Sequence, residues 1–219
     1  SIFDLVKSEA MLFKYGSGTG TDLSKLRSTR EKLSGGGTPS GPLSFFKVFD
    51  TVAGIVKSGG KTRRAARLQS LKDWHPDVLD FIDCKFNEEK KAKALIAQGY
   101  EKNFNGEAYS SVAFQNTNIS VRLSDMFMKA SEEGVDWTTR EVLTGNPVDT
   151  FPADSMLDRI ADRAWFCGDP GVQYEDTIQR WHTIPNTAPV NSSNPCLRKG
   201  SRLYTSGGWK KVEDLVHKE

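Results

Sequence analysis

The pattern of apolar positions predicts helices that alternate with short strands. Apolar residues recur every three or four positions in several stretches, which is the spacing of one helix face. The helices predicted in this way cover residues 1–15, 42–56, 77–82, 88–98, 124–128 and 153–166. Residues 66–71 and 110–120 predict extended chain instead. Such an alternation is typical of an α/β fold.

Glycine-led loops separate these elements, and the character of the chain changes near its end. The loops cover residues 16–20, 34–41 and 59–66, and residues 21–41 as a whole read as loop. Scattered Pro and Asn over the last hundred residues predict long loops, where functional sites are often found. From Cys196 onward, short β-type runs flank Gly207-Gly208, a pattern that predicts a hairpin. We therefore divide the chain into segments 1–195 and 196–219.

Composition narrows the class of protein. The 219 residues carry a formal net charge of +2, which gives no case for nucleic-acid binding. No apolar run approaches the roughly 18 residues of a membrane span. The chain has three cysteines, and this odd number favours reduced thiols in the cytoplasm. Because the sequence contains no CxxC pair, we do not expect a structural zinc site. Because the chain has no initiator Met or signal peptide, we expect it to begin inside a longer protein.

The loop at residues 59–66 has the composition of an anion-binding loop but not the spacing of a nucleotide-binding P-loop. Four residues separate Gly54 from Gly59, as the motif requires, but Gly60 then occupies the place of the required Lys. Glycine still lets a backbone approach a ligand closely, and arginine donates two hydrogen bonds to phosphate. The residues alone leave two interpretations open, a phosphate-binding loop and a solvated basic turn.

The three cysteines fall in different settings. Cys84 lies on an apolar helix face, and Cys167 ends a helix, so both are interpreted as packing residues. Cys196 follows a polar loop with no apolar neighbours that would bury it. Pro195 stiffens the approach to this thiol, and Asn194 can orient a polar substrate beside it by hydrogen bonds.

Four motifs, taken in order over residues 1–196, resemble the catalytic barrel of ribonucleotide reductase large subunits. They are Gly16-Ser17-Gly18-Thr19-Gly20, Ser34-Gly35-Gly36-Gly37-Thr38, Gly59-Gly60-Lys61-Thr62-Arg63-Arg64-Ala65-Ala66 and Asn191-Ser192-Ser193-Asn194-Pro195-Cys196. The last motif and the paired arginines most resemble the adenosylcobalamin-dependent class, with the diiron class as the nearer competitor. The resemblance implies part of a ten-stranded α/β barrel and the reduction of ribonucleotides to deoxyribonucleotides.

The resemblance also implies roles for individual residues. Cys196 would hold a transient thiyl radical that takes the 3′ hydrogen of the ribose, and Asn194, with Ser193 beside it, would bind the substrate near its 2′-hydroxyl. Gly18 would let the backbone approach the substrate, and Arg27 would contact a deoxynucleotide or ATP effector. In a homodimer, residues 28–38 would form the first specificity loop, and residues 59–66 would form the second, which links the effector to the choice of substrate. The residues assigned to these loops are Ser34, Gly35, Gly36, Gly59, Gly60, Lys61, Thr62, Arg63 and Arg64.

The sequence departs from the family directly after Cys196. The family continues with Ser and then a Glu that acts as general base, whereas Leu197 and Arg198 follow here. The redox cysteine pair and the rest of the barrel are also missing, so we expect this stretch alone to be inactive. The run from Cys196 to Gly200-Ser201 and the hairpin behind it resemble the first splicing block of an intein. Cys196 would then also be the splicing nucleophile that attacks the carbonyl of Pro195.

Two other functions stay open at this stage. One is a nucleotide-binding module without catalysis that uses the basic glycine-rich loops. The other is a segment whose only chemistry is protein splicing. The sequence that flanks this stretch would distinguish them, because only a reductase would resume with Cys-Ser-Glu after the splicing domain.

Overall fold

The computed structural model of the chain describes residues 1–56, 65–103, 105–194, 200–205, 207–211 and 214. Helices and strands alternate along these residues. The elements are α1 (Ile2–Lys14), β1 (Thr19–Asp22), α2 (Gly41–Ile55), β2 (Arg67–Lys72), α3 (Val78–Ala97), α4 (Glu107–Ser110), β3 (Asn118–Leu123), α5 (Asp125–Glu133), β4 (Asp136–Arg140), β5 (Pro147–Pro152), α6 (Ala153–Cys167), β6 (Gly171–Tyr174), α7 (Glu175–Arg180), β7 (Arg202–Thr205) and β8 (Gly208–Lys211).

The centre of the fold is a sheet of four parallel strands in the order β1-β2-β3-β6. Helices link these strands, as parallel pairing requires, because the chain must return to the same edge before each new strand begins. Two antiparallel hairpins stand apart from this sheet, β4-β5 and β7-β8. The described residues therefore confirm the α/β class that the sequence predicts.

One face of the sheet is apolar and lies under the helices. Leu71, Ile119, Val121 and Leu123 alternate along β2 and β3 and belong to one buried cluster. The helices contribute the other large side chains of this cluster, among them Phe46, Phe49, Phe81, Ile82, Phe127, Met156 and Ile160. Burial of these side chains supplies the main driving force for folding. The core therefore fixes the sheet from one side and leaves its other face for polar residues.

A buried ion pair joins α1 to the helix-facing side of β2. The guanidinium of Arg67 donates to Glu9, and both side chains are almost completely removed from solvent. The same guanidinium lies 4.2 Å from the ring centre of Phe49 on α2, and Thr21 on β1 donates to Glu9 at 2.7 Å. A buried charge is tolerated only when it is paired and hydrogen-bonded. This cluster therefore ties α1, α2 and the first two strands together.

Several boundaries follow from local chemistry that the sequence displays. The helix predicted from residue 124 begins with Ser124 as its N-cap, whose hydroxyl accepts from the amide of Phe127 at 3.1 Å. Helices α5 and α6 end at Gly134 and Gly168, which adopt the left-handed conformation that glycine allows. The predicted turn at 207–208 joins two paired strands. That this hairpin belongs to an intein stays a prediction.

Other sequence predictions were wrong. One helix, α3 (Val78–Ala97), replaces the two helices predicted at 77–82 and 88–98, and Phe86 in its middle packs edge-on against Phe166 of α6. The extended stretch predicted at 110–120 is a strand only from Asn118. Strand β1 lies partly inside the predicted loop 21–41, and the hairpin β4-β5, strand β6 and helix α7 occupy regions predicted as loop or left unassigned. Across the described residues, no helix combines the length and apolar character needed to cross a bilayer.

We expect the change Glu9→Ala to lower the free energy of unfolding by about 3–5 kcal/mol, because it leaves the buried Arg67 without its carboxylate. Equilibrium denaturation of the chain measures the effect. Glu133→Ala is the matched control, since Glu133 pairs with Lys129 at 3.6 Å on the exposed surface and such pairs contribute less than about 1 kcal/mol. Equal losses in the two variants would contradict the role given to the buried pair.

Candidate active site

The second face of the parallel sheet is polar. Its strands alternate, so that the residues between the apolar core positions project to this side. They include Ser70 and Lys72 on β2, Ser120 and Arg122 on β3, and Gln173 on β6. Gly18 precedes β1 and Gly20 lies within it, on the same side. This face therefore offers hydrogen-bonding groups and, at β1, an open backbone.

The segment of residues 190–194 crosses this polar face. The carbonyl of Val190 accepts from Nη2 of Arg122 at 2.8 Å, and the carbonyl of Asn191 accepts from the hydroxyl of Ser70 at 3.3 Å. Farther along, the hydroxyl of Ser193 accepts from Gln173 at 2.9 Å. The segment ends, within the described residues, at Asn194, two positions before Cys196. Side chains of the sheet thus hold the segment that precedes Cys196 in the sequence.

The closest approach between the segment and the sheet is at the glycines of β1. A Cβ added to Gly20 would lie 2.0 Å from the carbonyl oxygen of Ser193, far closer than real contacts allow. A Cβ added to Gly18 would lie 3.1 Å from Nδ2 of Asn194 and 3.0 Å from the carbonyl oxygen of Ala66. Two sequence motifs that are more than 170 residues apart therefore meet here, and they can meet only because β1 lacks side chains at these positions.

An ion network lies beside the segment. Glu175 at the start of α7 accepts from Nε of Arg122, and it lies 3.2 Å from Nζ of Lys72. Burial alone would raise the pKa of the Glu175 carboxyl, but the hydrogen bond and charge of Arg122, together with Lys72, outweigh it and lower the pKa. Glu175 is therefore ionised at neutral pH and compensates the two cations.

The first predicted specificity loop has an anchored base and an open tip. Asp77 accepts from the hydroxyls of Ser28 at 2.7 Å and Thr29 at 3.0 Å, which fixes the base next to the half-buried Arg27. At the tip, which includes Ser34, a Cβ added to Gly35 or Gly36 would meet nothing within 4 Å. The loop tip is therefore not in contact with the Asn194 segment at these glycines, and its backbone is accessible to a ligand.

Several predicted site residues lie outside the described residues. They are Cys196 and the second-loop residues Gly59, Gly60, Lys61, Thr62, Arg63 and Arg64. Only the end of the second loop is placed, where the carbonyl of Ala66 accepts from the amide of Thr19 at 2.9 Å. This contact puts the end of the second loop directly beside Gly18. The roles of the residues outside the described ranges stay predictions.

The other two cysteines occupy packing positions. Cys84 is buried in the core cluster, and burial raises the pKa of its thiol. Cys167 is half-buried, and its sulfur contacts the carbonyl oxygens of Arg163 and Asp169 at 3.4 Å. Its pKa is also raised, chiefly by burial. Both thiols are thus disfavoured as thiolates, the reactive form of cysteine.

Sequence reasoning missed the residues that hold the 190–194 segment. Arg122, Gln173, Glu175 and Gln179 contact this segment or one another, yet none belongs to a recognisable motif. One signal was available, since Ser120 and Arg122 alternate with Ile119 and Val121 along β3. A strand that is apolar on one side and polar on the other indicates that the polar side has its own partner.

A comparison with models of known protein families shows which family the chain resembles. The chain matches the model of the ribonucleotide reductase barrel domain over residues 1–199. The chain therefore belongs to this family, and it represents a piece of a ribonucleotide reductase large subunit. The match ends at residue 199, so that the hairpin β7-β8 lies beyond it.

The individual relatives are reductases named for their dependence on vitamin B12. A vitamin B12-dependent ribonucleotide reductase of Rhodopirellula baltica is 63% identical over 198 residues, which cover 89% of this chain and 19% of the relative. The protein of the same name from Streptomyces avermitilis is 48% identical, with 90% and 20% covered. A vitamin B12-dependent ribonucleoside-diphosphate reductase of Mycobacterium tuberculosis is 34% identical, with 90% and 25% covered. The chain spans a fifth to a quarter of the length of these relatives.

We expect Gly20→Ala to displace the 192–194 segment, because the new methyl group would overlap the carbonyl of Ser193. Overpacking of this kind typically costs about 1–3 kcal/mol of stability. Hydrogen exchange measured by mass spectrometry should show faster exchange of the amides of residues 190–194. Gly35→Ala is the control, since a Cβ there meets open space. Unchanged exchange in Gly20→Ala would show that the close approach does not hold the segment.

Proposed function

We propose that this chain is the part of a B12-dependent ribonucleotide reductase that brings the ribose of a ribonucleotide against a reactive cysteine. The observation that supports this proposal is the position of the Asn194 side chain, whose Nδ2 would lie 3.1 Å from a Cβ added to Gly18, at the end of a segment held on the polar sheet face. The names of the relatives and the family match agree with ribonucleotides as the substrate class.

In this reaction, Cys196 and Asn194 would have different roles at the ribose. A sulfur radical at Cys196 would take the 3′ hydrogen atom of the ribose, which leaves an S–H bond and a carbon radical at C3′. The amide of Asn194 can donate and accept hydrogen bonds, so it can hold the neighbouring 2′-hydroxyl. That hydroxyl would take up a proton and leave as water, and the dithiol supplied to the complete enzyme would provide the two electrons of the reduction. The open backbone at Gly18 and the adjacent Ser193 would complete the ribose site. The general base that the family carries two residues after the cysteine is not supplied by Arg198.

Allosteric control by a nucleotide would use the two glycine-rich loops. The first loop, with Arg27 at its base and Ser34, Gly35 and Gly36 at its tip, offers an exposed backbone on an anchored frame. The second loop, residues 59–66, ends beside Gly18 through the Ala66 contact. A loop between the effector and substrate sites can carry a coupling of about 1–3 kcal/mol. We further propose a homodimeric enzyme that works in the cytoplasm.

Dependence on adenosylcobalamin is proposed from the names of the relatives, which call them vitamin B12-dependent. When bound, this cofactor supplies the radical chemistry that begins the reaction. Four clefts lined by described residues have volumes of about 420–530 Å³, and they lie among the helices rather than on the face that carries Asn194. None of these four clefts is lined by residues 190–194.

The proposed function is tested with the complete reductase that contains this chain, supplied with adenosylcobalamin and a dithiol. The wild-type protein should convert ribonucleotides to deoxyribonucleotides. Asn194→Ala should lower kcat on the order of 100-fold, as is typical when a hydrogen bond to the reacting centre is lost. Product formation measured by chromatography gives the rates.

The control variant is Asn146→Ala, at an exposed position in the turn between β4 and β5. It should retain the wild-type rate. No deoxyribonucleotide from the wild-type protein would refute the proposed function. A full rate for Asn194→Ala would refute the role of Asn194 alone.

A second proposal concerns the end of the chain. We propose that residues 196–219 begin an intein whose first nucleophile is Cys196. Two observations favour a segment of separate origin, since the family match stops at residue 199 and an antiparallel hairpin follows it. In the first splicing step the sulfur of Cys196 would bond to the carbonyl carbon of Pro195, and the peptide C–N bond would break as the nitrogen takes a proton.

Splicing is tested by peptide mass spectrometry of the mature protein made from the whole gene. Excision predicts that peptides from residues 200–211 are absent and that Pro195 is joined to downstream sequence. Cys196→Ala should block this joining and leave the precursor intact, because alanine has no nucleophile. Peptides of residues 200–211 within the mature, active enzyme would contradict the intein proposal and leave the reductase proposal untouched.

A further inference from the structure

The base of the segment that leads to Asn194 is held by an unusual pair of contacts. The side-chain amide of Gln179 accepts from the backbone N–H of Val190 at 3.1 Å and donates to the carbonyl of the same residue at 2.8 Å. The amide of Gln179 thus bonds both backbone groups of one residue, as a neighbouring strand would. Nη2 of Arg122 donates to the same carbonyl at 2.8 Å. Three hydrogen bonds therefore converge on Val190.

Each of the three guanidinium nitrogens of Arg122 donates a hydrogen bond. Its side chain is fully buried, its Nε donates to Glu175, and its Nη1 donates to Gln173 at 3.2 Å. Glu175 also accepts from Gln179 at 3.2 Å and from Lys72 at 3.2 Å. A buried guanidinium with every neighbour paired is costly to disturb, and such a network has one preferred geometry. Val190 is thereby fixed to three parallel strands and to α7.

The position of Val190 sets the position of Asn194. Val190 contacts β3, Asn191 contacts β2 and Ser193 contacts β1. Gln173 of β6 also donates to the hydroxyl of Ser193 at 2.9 Å. Three of the five residues in the segment are therefore held by the sheet, on both sides of its middle. A shift at Val190 would strain these bonds, so it would also displace Asn194.

We propose that Arg122 and Gln179 are positioning residues of the reductase, which together form a clamp on Val190 and so place Asn194 and the following thiol against the ribose. The inference rests on the proposed function, and it adds two residues that touch neither substrate nor the reacting atoms. Misplacement of reacting groups by about 1 Å can cost on the order of 100-fold in rate. The clamp therefore acts on the rate of the chemical step rather than on substrate binding.

The test uses the complete reductase with Gln179→Met and Arg122→Lys. Methionine keeps the approximate shape of Gln179 but loses its bonds to Val190, and lysine keeps a charge for Glu175 but loses the fork that reaches Val190. Each variant should lower kcat by about 10- to 100-fold with KM changed less than about threefold. Hydrogen exchange should quicken at residues 190–194.

Arg67→Lys is the matched control, because Arg67 is equally buried and paired with a Glu but lies on the helix-facing side of β2. It should lower the melting temperature at least as much as Arg122→Lys while kcat and the exchange at 190–194 stay at wild-type values. An unchanged kcat in both clamp variants, a change in KM alone, or an equal loss of kcat in Arg67→Lys would overturn the inference.

The two proposals fail in different ways. If the wild-type protein forms no deoxyribonucleotide, the proposed function fails, and the exchange measurement alone decides whether the clamp holds the segment. If the wild-type protein is active and Asn194→Ala is slow while both clamp variants are fast, the positioning inference fails and the reductase assignment stands.

Discussion

The arrangement of the site depends on one steric constraint, the absence of side chains on β1 where the carbonyl of Ser193 meets Gly20. An added methyl group at Gly20 would lie 2.0 Å from that oxygen. With glycine there, an extended segment can lie directly on the sheet face and end with Asn194 beside Gly18. The backbone of this segment is not part of the described sheet, so its polar groups must find other partners. Side chains from β2, β3 and α7 supply them.

The two faces of the sheet use buried arginines for different purposes. Arg67 faces the helices, where its pairing with Glu9 fixes α1 against β2. Arg122 faces the other way, where its pairing with Glu175 leaves one nitrogen free to hold Val190. Each buried guanidinium costs free energy that its carboxylate offsets, and neither adds much net stability. Their value is geometric, because a buried charge allows few alternative arrangements around it.

The sequence predicts the helices and the site motifs better than the strands, for a physical reason. Helices α1, α2, α5 and α6 present an apolar face, so their period is visible in the chain. Strands β1 and β6 have four residues each, and one side of each strand lies on the polar face of the sheet. Too few apolar positions therefore remain for an alternation to be visible in the sequence. The sequence predicts two helices where α3 is one, because the middle of α3 is polar and interrupts the apolar period. In the structure this polar middle has partners of its own, since Lys85 donates to the carbonyl of Thr117 and pairs with Asp169.

Within the site, predictability follows the same distinction. Gly18, Asn194 and the specificity loops stand in motifs whose order along the chain resembles a family, so the sequence alone predicts roles for them. Arg122, Gln179 and Glu175 are ordinary polar residues in sequence, and their importance arises only when the 190–194 segment folds back over the sheet. Tertiary closure of this kind leaves no periodic signal, because the partners come from separate strands and one short helix.

Cys196 cannot be both the radical-bearing cysteine of the reductase and the first residue of an excised intein in one mature molecule. The contacts of the 190–194 segment are compatible with a reductase in either case. If the intein is real, Cys196 leaves with it, and a downstream cysteine must take its place after Pro195. The contacts that hold the segment on the sheet all involve residues up to Asn194, which precede the proposed splice junction between Pro195 and Cys196. The clamp on Val190 would therefore direct whichever thiol follows Pro195 to the same place. Insertion at this point would also make excision a condition of activity, since the thiol and the carboxylate of the family motif would be adjacent only after splicing.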